Sequence, residues 1–313
     1  MTSRCVDDRI EITKDDGLYP VSLLDLPDAP ERLYVRGDPT VLSLPSISVI
    51  GARRASPYGL AVAEMAGKLA AESGLVEVSG GARGCDAAGG LAALGAGGRH
   101  VVVLGSGADV VYPRSSAALI DRALSSGGAV VSLCPWGAPP RRFAFPRRNR
   151  VIAALSEALF ISEAGMPSGT FSTAETAMQI GREVLVAPGS ILSPESRGSN
   201  YLIGCGACCI VDEESIEIAI SRIYGTLRFD RTGFSTSTPV SGDAGRVLQA
   251  LIACPMRAEE IQDMLRISAM ETSMLMSSME VDGLCERMLD GRYAPTKIVL
   301  HAQTPLGQNG IRS

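Results

Sequence analysis

The feature that most constrains the fold of this chain is an alternation of short apolar runs with longer helix-like stretches across its centre. Short runs of valine, isoleucine, leucine and alanine are typical of parallel strands buried on both faces. Right-handed helical crossovers between such strands specify a doubly wound α/β sheet. We therefore predict seven parallel strands at residues 47–50, 75–78, 101–104, 129–133, 158–161, 184–187 and 208–211, alternating with helices at about 59–73, 86–97, 114–126, 148–156, 171–181 and 213–223.

The segments outside this region have other patterns. The first forty residues show little periodicity and contain several prolines, and a stretch rich in threonine, serine and glycine follows the last predicted helix. Three short helices and a hairpin turn at Asp290-Gly291 then give a winged-helix pattern. We expect, in chain order, a lead-in packed on the core (1–40), an α/β core domain (41–225), a linker (226–242), a small winged-helix-like domain (243–300) and a disordered tail (301–313).

Composition and charge exclude several classes of function. The formal net charge is −5, so the whole molecule exerts no long-range attraction on nucleic acid, and any such binding must be local. No signal peptide and no uncharged run of about 18 residues is present, which predicts a cytoplasmic protein without a membrane span. Cys205, Cys208 and Cys209 are zinc-ligand candidates, but without a nearby histidine or second pair we interpret them as small buried residues.

The stretch FPRRNR at 145–150 is the strongest functional signal in the chain. Residues 141–150 carry five arginines and no acidic residue, and the stretch opens a predicted helix. Cations are unfavourable near the positive end of a helix dipole, at a cost of roughly 0.3–1 kcal/mol each. An anion bound there would offset this cost. The alternative is a basic turn that is solvated or held in salt bridges.

Four glycine-containing loops follow predicted strands, and the carboxyl ends of such strands are where doubly wound sheets bind ligands. Glycines permit close backbone approach, helix-opening amides bind phosphate, and arginine adds a bidentate donor. One of these four loops, 105–109 with Tyr112-Pro113, is expected to line the same crevice as the other three. The candidate phosphate-binding residues are Gly51, Arg53, Arg54, Ser79, Gly80, Arg83, Gly84, Arg147, Arg148, Asn149, Arg150, Ser168, Gly169 and Thr170.

Catalytic interpretations have less support. We interpret Asp86 as a helix N-cap rather than as a catalytic acid. His100 adjoins a core strand and His301 lies in the tail, so no nucleophilic triad is apparent. Glu163 and Glu175 are possible acid and base, although a loop hydrogen bond and a helix surface explain them equally simply. No cofactor or metal is predicted.

Taken together, these loops resemble those of the DprA/Smf (DNA processing protein A) family. SGGARGCD at 79–86 and FPRRNRVI at 145–152 are the longest matching motifs. The resemblance covers about residues 18–212 in the family's order, and its further matching segments are 18–20, 49–53, 58–59, 103–105, 112–113, 168–170, 173–174, 181–182 and 186–189. One departure is Ala87-Ala88-Gly89-Gly90, because the family usually has a histidine soon after the Asp86 motif.

The resemblance implies an extended Rossmann-like domain that binds single-stranded DNA without sequence preference, protects it and helps load the RecA recombinase in natural transformation. It also implies a homodimer with no established catalytic reaction. By motif match, Arg53, Arg83 and residues 147–150 would contact phosphates, and Phe145 would either stack on a base or belong to the core. Stacking contributes about 1–3 kcal/mol per base where it occurs.

Two alternatives to this function are retained. Ser168-Gly169-Thr170 with Glu175 faintly resembles the loop of the nucleoside-monophosphate phosphoribohydrolases, which would make the chain a nucleotide-processing enzyme, and a plain interaction scaffold is the third class. The winged-helix segment has no lysine or arginine in its recognition-helix candidate at 268–282. We therefore predict that this segment contacts protein, or the chain's own central domain, rather than duplex DNA.

Overall fold

A computed structural model describes residues 8–225, 242–288, 290–296 and 299. The chain divides into two compact units. The central unit comprises Met1–Ala55 and Val62–Arg231, and the C-terminal unit comprises Ser56–Ala61 and Thr232–Ser313. Each helix among the described residues is too short or too polar to traverse a lipid bilayer.

The central unit is built on a nine-stranded sheet in which seven neighbouring strands are parallel. All seven predicted strands are confirmed. The order of these strands across the sheet is β6-β5-β4-β3-β7-β8-β9, so the topological switch point lies between β3 and β7. Their bounds are β3 (Ser46–Ile50), β4 (Val76–Ser79), β5 (His100–Leu104), β6 (Ala129–Ser132), β7 (Ala158–Ile161), β8 (Glu183–Val186) and β9 (Cys208–Cys209).

Helices connect the parallel strands, as the alternating pattern predicts. The helix that carries the arginines begins four residues earlier than predicted, at Ala144, which places Pro146 in its first turn. A helix at Arg197–Gly204 was not predicted, because it is short and contains two glycines. The helices of this unit are α1 (Pro57–Glu72), α2 (Cys85–Gly95), α3 (Ala117–Ser125), α4 (Ala144–Leu155), α5 (Thr170–Gln179), α6 (Arg197–Gly204) and α7 (Glu213–Tyr224).

The lead-in contains two strands that the sequence interpretation missed. Strand β1 (Arg9–Thr13) pairs with β2 (Arg32–Gly37), and β2 pairs with β6, both antiparallel. Leu33 and Val35 are fully buried in β2, whereas the residues on either side of each are not. The alternation of buried and exposed side chains that is typical of a strand is therefore present, but it extends over only a few residues. The interpretation of this segment as aperiodic was therefore wrong: it extends the sheet at one edge.

The core of the central unit fills both faces of the sheet. Every residue of β3, β5 and β7 is buried, as expected for parallel strands covered by helices on each side. Phe160 of β7 is the largest fully buried side chain. Burial of a phenylalanine stabilises a fold by about 1.5–3 kcal/mol. The buried side chains of the sheet therefore support the loops that follow its strands.

The C-terminal unit contains three helices followed by a two-stranded antiparallel sheet. Its core contains Val247, Leu248, Leu251, Ile261 and Met276. The elements are those expected of a winged helix, and that assignment stays a prediction. Residues 226–241 of the predicted linker and the predicted tail at 301–313 lie outside the described residues. The elements are α8 (Gly242–Ala253), α9 (Ala258–Leu265), α10 (Ala269–Val281), β10 (Cys285–Arg287) and β11 (Tyr293–Pro295).

Candidate functional site

Two neighbouring cavities open among the loops that follow β3, β4, β5 and β7. The larger has a volume of about 490 Å³ and the smaller about 130 Å³. Both are lined by Arg53, Ala82 and Arg148, so they form one continuous site. We call them the large cavity and the small cavity. Their position at the carboxyl ends of the parallel strands is where doubly wound sheets bind ligands.

The structure brings most of the candidate phosphate-binding residues to these cavities. The small cavity adds Gly80, Arg83 and Phe145 to the shared residues. The predicted residues that line the large cavity are Gly51, Arg53, Arg54, Arg148, Asn149, Ser168, Gly169 and Thr170. Four separate loops and the arginine helix therefore meet at one edge of one sheet.

Four predicted residues line neither cavity. Ser79 is buried at the end of β4, where its hydroxyl accepts a hydrogen bond from the Gly81 amide at 3.4 Å. Gly84 is the N-cap residue of α2, with a φ of +85° that a residue with a side chain rarely adopts. Arg147 is exposed on the outer side of α4, and Arg150 forms an ion pair with Asp28.

The charges around the small cavity are strongly one-sided. Among the described residues that line it, Arg53, Arg83 and Arg148 are cationic and none is acidic. Arg53 and Arg83 are exposed, so both guanidinium groups are available to a ligand in solution. The large cavity adds Arg54 but also the carboxylates of Asp86 and Glu195. An anion is therefore held best where the two cavities join.

Arg148 occupies a different environment from the other cations. Only 5% of its surface is exposed, and its Nη1 donates a hydrogen bond to the Val103 carbonyl oxygen at 2.9 Å. Burial lowers the pKa of Arg148 to about 10, although the Asp86 carboxylate opposes the shift. Its Nε has no hydrogen-bond partner within the described part of the chain. Arg148 thus forms the floor of the site rather than a mobile surface contact.

Asp86 is not the helix cap that the sequence suggested. It lies within the first turn of α2, and its Oδ2 accepts hydrogen bonds from the amides of Gly80 at 3.1 Å and Ala82 at 3.4 Å. Burial raises the pKa of the Asp86 carboxyl, while Arg148 and these amides oppose the increase. The carboxylate therefore fixes the SGGARGCD loop and balances the buried guanidinium charge.

Gly80 is required by the packing of Arg148. A Cβ built on Gly80 would overlap Nη1 of the arginine, so any side chain at this position displaces the guanidinium. The loop after β4 and the first turns of α4 are thus shaped to fit each other. This close approach explains why a glycine pair follows Ser79.

Phe145 lies on the wall of the small cavity between aromatic and cationic neighbours. Its ring centroid is 6.0 Å from that of Tyr112, and the guanidinium carbon of Arg53 lies 5.7 Å from it. The ring packs against Gly105 and is only half-buried. The guanidinium carbon of Arg148 lies 5.9 Å from the same ring centroid, so the partly exposed ring lies beside two cations. Aromatic rings with neighbouring cations are used by single-strand binding sites to stack bases.

The catalytic alternatives lose support in this geometry. Glu175 is exposed on α5 and lines neither cavity, so the enzyme-type interpretation lacks its proposed acid. His100 is fully buried, with its imidazole paired to Glu77 inside the sheet. Among the residues with a described placement, no set of three histidine, cysteine or acidic side chains is arranged to hold a metal.

The cysteine cluster also differs from the expectation. Cys205 and Cys209 are exposed and Cys208 is half-buried, so the interpretation of all three as buried residues was wrong. The reason is that β9 is only two residues long and lies at the open edge of the sheet. Edge strands of this kind leave alternate side chains in solvent.

Sequence reasoning did not name Pro167 or Glu195, although both line the large cavity. Glu195 belongs to a 3-10 turn far along the chain, and no local pattern marks it. Thr173, from the family-matching segment 173–174, also lines the large cavity and lies one helical turn after Thr170.

The fold and site define a doubly wound α/β protein with an arginine-lined cleft at the carboxyl ends of its parallel strands. Sequence comparison then gives the family: a model described as DNA recombination-mediator protein A matches residues 11–221. The chain belongs to this family. The matched segment covers the nine-stranded sheet except for the first two residues of β1, and it includes every residue of the two cavities.

Individual relatives agree with this assignment. Protein Smf of Escherichia coli is 38% identical over 205 residues, which are 66% of this chain and 55% of that protein. The chain thus spans only about half the length of this relative. The crystal structure of DNA processing protein A (DprA) from Streptococcus pneumoniae has a TM-score of 0.63 and 36% identity, and the match covers 67% of this chain and 74% of that one.

A second solved structure concerns DNA directly. DNA processing protein A from Helicobacter pylori, described for its single-stranded DNA binding mode, has a TM-score of 0.62 and 28% identity. The match covers 68% of this chain and 97% of that one. The shared region is the central unit, which carries the candidate site.

Proposed function

We propose that this protein binds single-stranded DNA without sequence preference, protects it and helps load the RecA recombinase in DNA uptake and recombination. The observation that carries the proposal is the meeting of Arg53, Arg83 and Arg148 around the small cavity, beside its junction with the large one. Family membership and the single-strand binding described for the Helicobacter pylori relative support it. The protein acts in this proposal as a binding mediator in the cytoplasm and not as an enzyme.

Each part of the site has a defined task in this proposal. Arg53, Arg54 and Arg83 neutralise successive phosphates. Phe145 stacks on a base. Arg148 and Asp86 hold the loops in place. None of these groups reads the edge of a base, so the binding is independent of sequence.

The proposal also includes a homodimer. Large apolar side chains are exposed in the segments that follow β8 and β9: Ile191 at 85%, Leu192 at 77% and Val211 at 70%. Exposed apolar area of this kind supports a protein-interaction site. A dimer would place two cation-lined sites on one strand, which raises the effective concentration of the second site and strengthens binding.

A titration with matched oligonucleotides tests the proposal. We expect single-stranded DNA of mixed sequence to bind more tightly than the same sequence as a duplex. We also expect affinity to fall with salt by a log–log slope of about −0.7 per neutralised phosphate. Equal binding of an uncharged peptide nucleic acid of the same sequence would contradict the phosphate contacts.

A further inference from the structure

Helix α10 of the C-terminal unit presents an apolar stripe to solvent. Met270, Met274 and Val281 are 75%, 69% and 87% exposed. At 3.6 residues per turn these three side chains fall within an arc of about 40° around the helix. They lie opposite the side chains of Thr272, Met276 and Met279, which are buried in the core of the unit. The helix is therefore apolar on two faces, and only one of them is used by its own fold.

Exposed serines lie next to this stripe, and acidic residues lie beyond them on both sides. Measured around the helix from Met270, Glu280 lies about 80° away on one side, and Glu271 and Asp282 lie about 100° and 120° away on the other. All three are exposed, and no lysine or arginine occurs in α10. The surface is thus an apolar band between two acidic margins. We call it the α10 stripe.

We propose that the α10 stripe docks a basic amphipathic helix of another protein. An apolar row on such a helix would cover the two methionines and Val281, and lysines or arginines beside that row would meet the acidic margins. Methionine suits this role because its flexible, polarizable side chain adapts to different apolar partners. A partner that fits both the methionines and the flanking carboxylates must carry positive charge beside its apolar surface.

Charge argues against two other occupants. Nucleic acid is repelled by a helix with three exposed carboxylates and no cation. A second copy of this helix would bring like charges together along both margins, which is unfavourable. A partner of opposite charge gains from the same arrangement. The stripe thus fits a cationic helix better than it fits DNA or itself.

The experiment uses the full chain and three labelled synthetic peptides of about 18 residues, long enough to form a helix on binding. The first has leucines at helical spacing on one face and lysines elsewhere, and the second is a scrambled peptide of the same composition. The third replaces the lysines with glutamates. We expect fluorescence anisotropy to show binding of the first peptide at least about tenfold tighter than that of the other two.

Two sets of substitutions locate the binding surface. Met270→Gln, Met274→Gln and Val281→Gln together remove the apolar band but keep helix propensity, and we expect affinity to fall about tenfold or more. Glu280→Gln with Asp282→Asn should weaken binding and reduce its dependence on salt. Ile218→Gln, which changes an exposed apolar residue of α7, is the matched control and should have no effect. Far-UV circular dichroism checks that each variant is folded.

Several outcomes would overturn the proposal. Equal binding of the helical and scrambled peptides would mean that charge alone attracts them. Unchanged affinity in the triple glutamine variant would place the binding elsewhere. If wild-type protein self-associates and the triple variant does not, a second copy is the occupant.

Discussion

Nη1 of Arg148 donates a hydrogen bond to the backbone carbonyl oxygen of Val103 at 2.9 Å, which ties helix α4 to the end of strand β5. This arginine belongs to the most basic stretch of the chain, yet it is almost completely buried. Its charge is balanced within the fold by Asp86. The same bond holds the two cavities at their junction, so Arg148 contributes to stability and to the shape of the site.

Replacement of Arg148 by alanine should destabilise the protein more than any other change in the arginine stretch. Removal of one member of a buried charge pair leaves the other uncompensated, at a cost of about 3–5 kcal/mol. Arg150→Ala is the matched control, because its ion pair with Asp28 is exposed and worth about 0–1 kcal/mol. Urea denaturation measures both, and equal loss in the two variants would contradict the structural role of Arg148.

A substitution at Gly80 should reproduce part of this effect. A methyl group on Gly80 overlaps the Arg148 guanidinium, so Gly80→Ala must shift either the loop or the arginine. We expect a loss of about 1–3 kcal/mol in the free energy of unfolding, the usual cost of overpacking a core. Gly169→Ala is the control, since nothing lies within 4 Å of a Cβ there. Equal stability of the two variants would show that the loop yields freely.

The arginine stretch also shows what sequence can and cannot predict. The pattern places five arginines near the start of one helix and predicts a polyanion site there. Adjacent helical residues point about 100° apart, so Arg147 faces solvent while Arg148 faces the core. Composition cannot distinguish them, because the direction of each side chain depends on the exact residue at which α4 begins.

The sheet was predictable for a different reason. Parallel strands buried on both faces appear as continuous apolar runs, and all seven were identified. The antiparallel strands β1 and β2 are partly exposed at the edge and contain charged residues such as Arg32 and Arg36, so their apolar signal is diluted. Asp86 was misassigned because helix ends are uncertain by one or two residues in a sequence pattern.

The ring of Phe145 should contribute to binding through base stacking. Phe145→Leu keeps apolar packing against Gly105 but removes the π face, and we expect a loss of about 1–3 kcal/mol in affinity for oligothymidine. An abasic oligonucleotide of equal length is the matched control, because wild type and variant should bind it equally. If the variant weakens both ligands alike, Phe145 supports the loop and does not stack.

The buried pair of Glu77 and His100 should make stability depend on pH. Burial alone would lower the pKa of His100, but the Glu77 carboxylate outweighs it and raises the pKa above 6.5, while burial raises the pKa of Glu77. The folded state therefore holds protons more tightly than the unfolded chain. Its extra stability is present below the unfolded pKa of histidine and is lost as pH rises through the raised value.

Chemical denaturation over a pH series measures this dependence. We expect the free energy of unfolding to decline as pH rises above about 6.5, the ordinary histidine pKa. The double variant Glu77→Gln with His100→Gln keeps a polar pair but removes both titrating groups, so its profile should be flatter. An identical decline in the double variant would assign the effect to other residues.

The central claim is that the exposed arginines that line the small cavity bind the phosphates of a single strand. The salt dependence of binding measures this claim most directly. Each phosphate contact that is lost lowers the log–log slope by about 0.7 for single strands. Arg53→Ala with Arg83→Ala should therefore reduce the slope by about 1.4 and weaken all sequences alike, whereas Arg122→Ala, an exposed arginine on α3 outside both cavities, should leave it unchanged. A slope that is the same in wild type and in the double variant would contradict the claim.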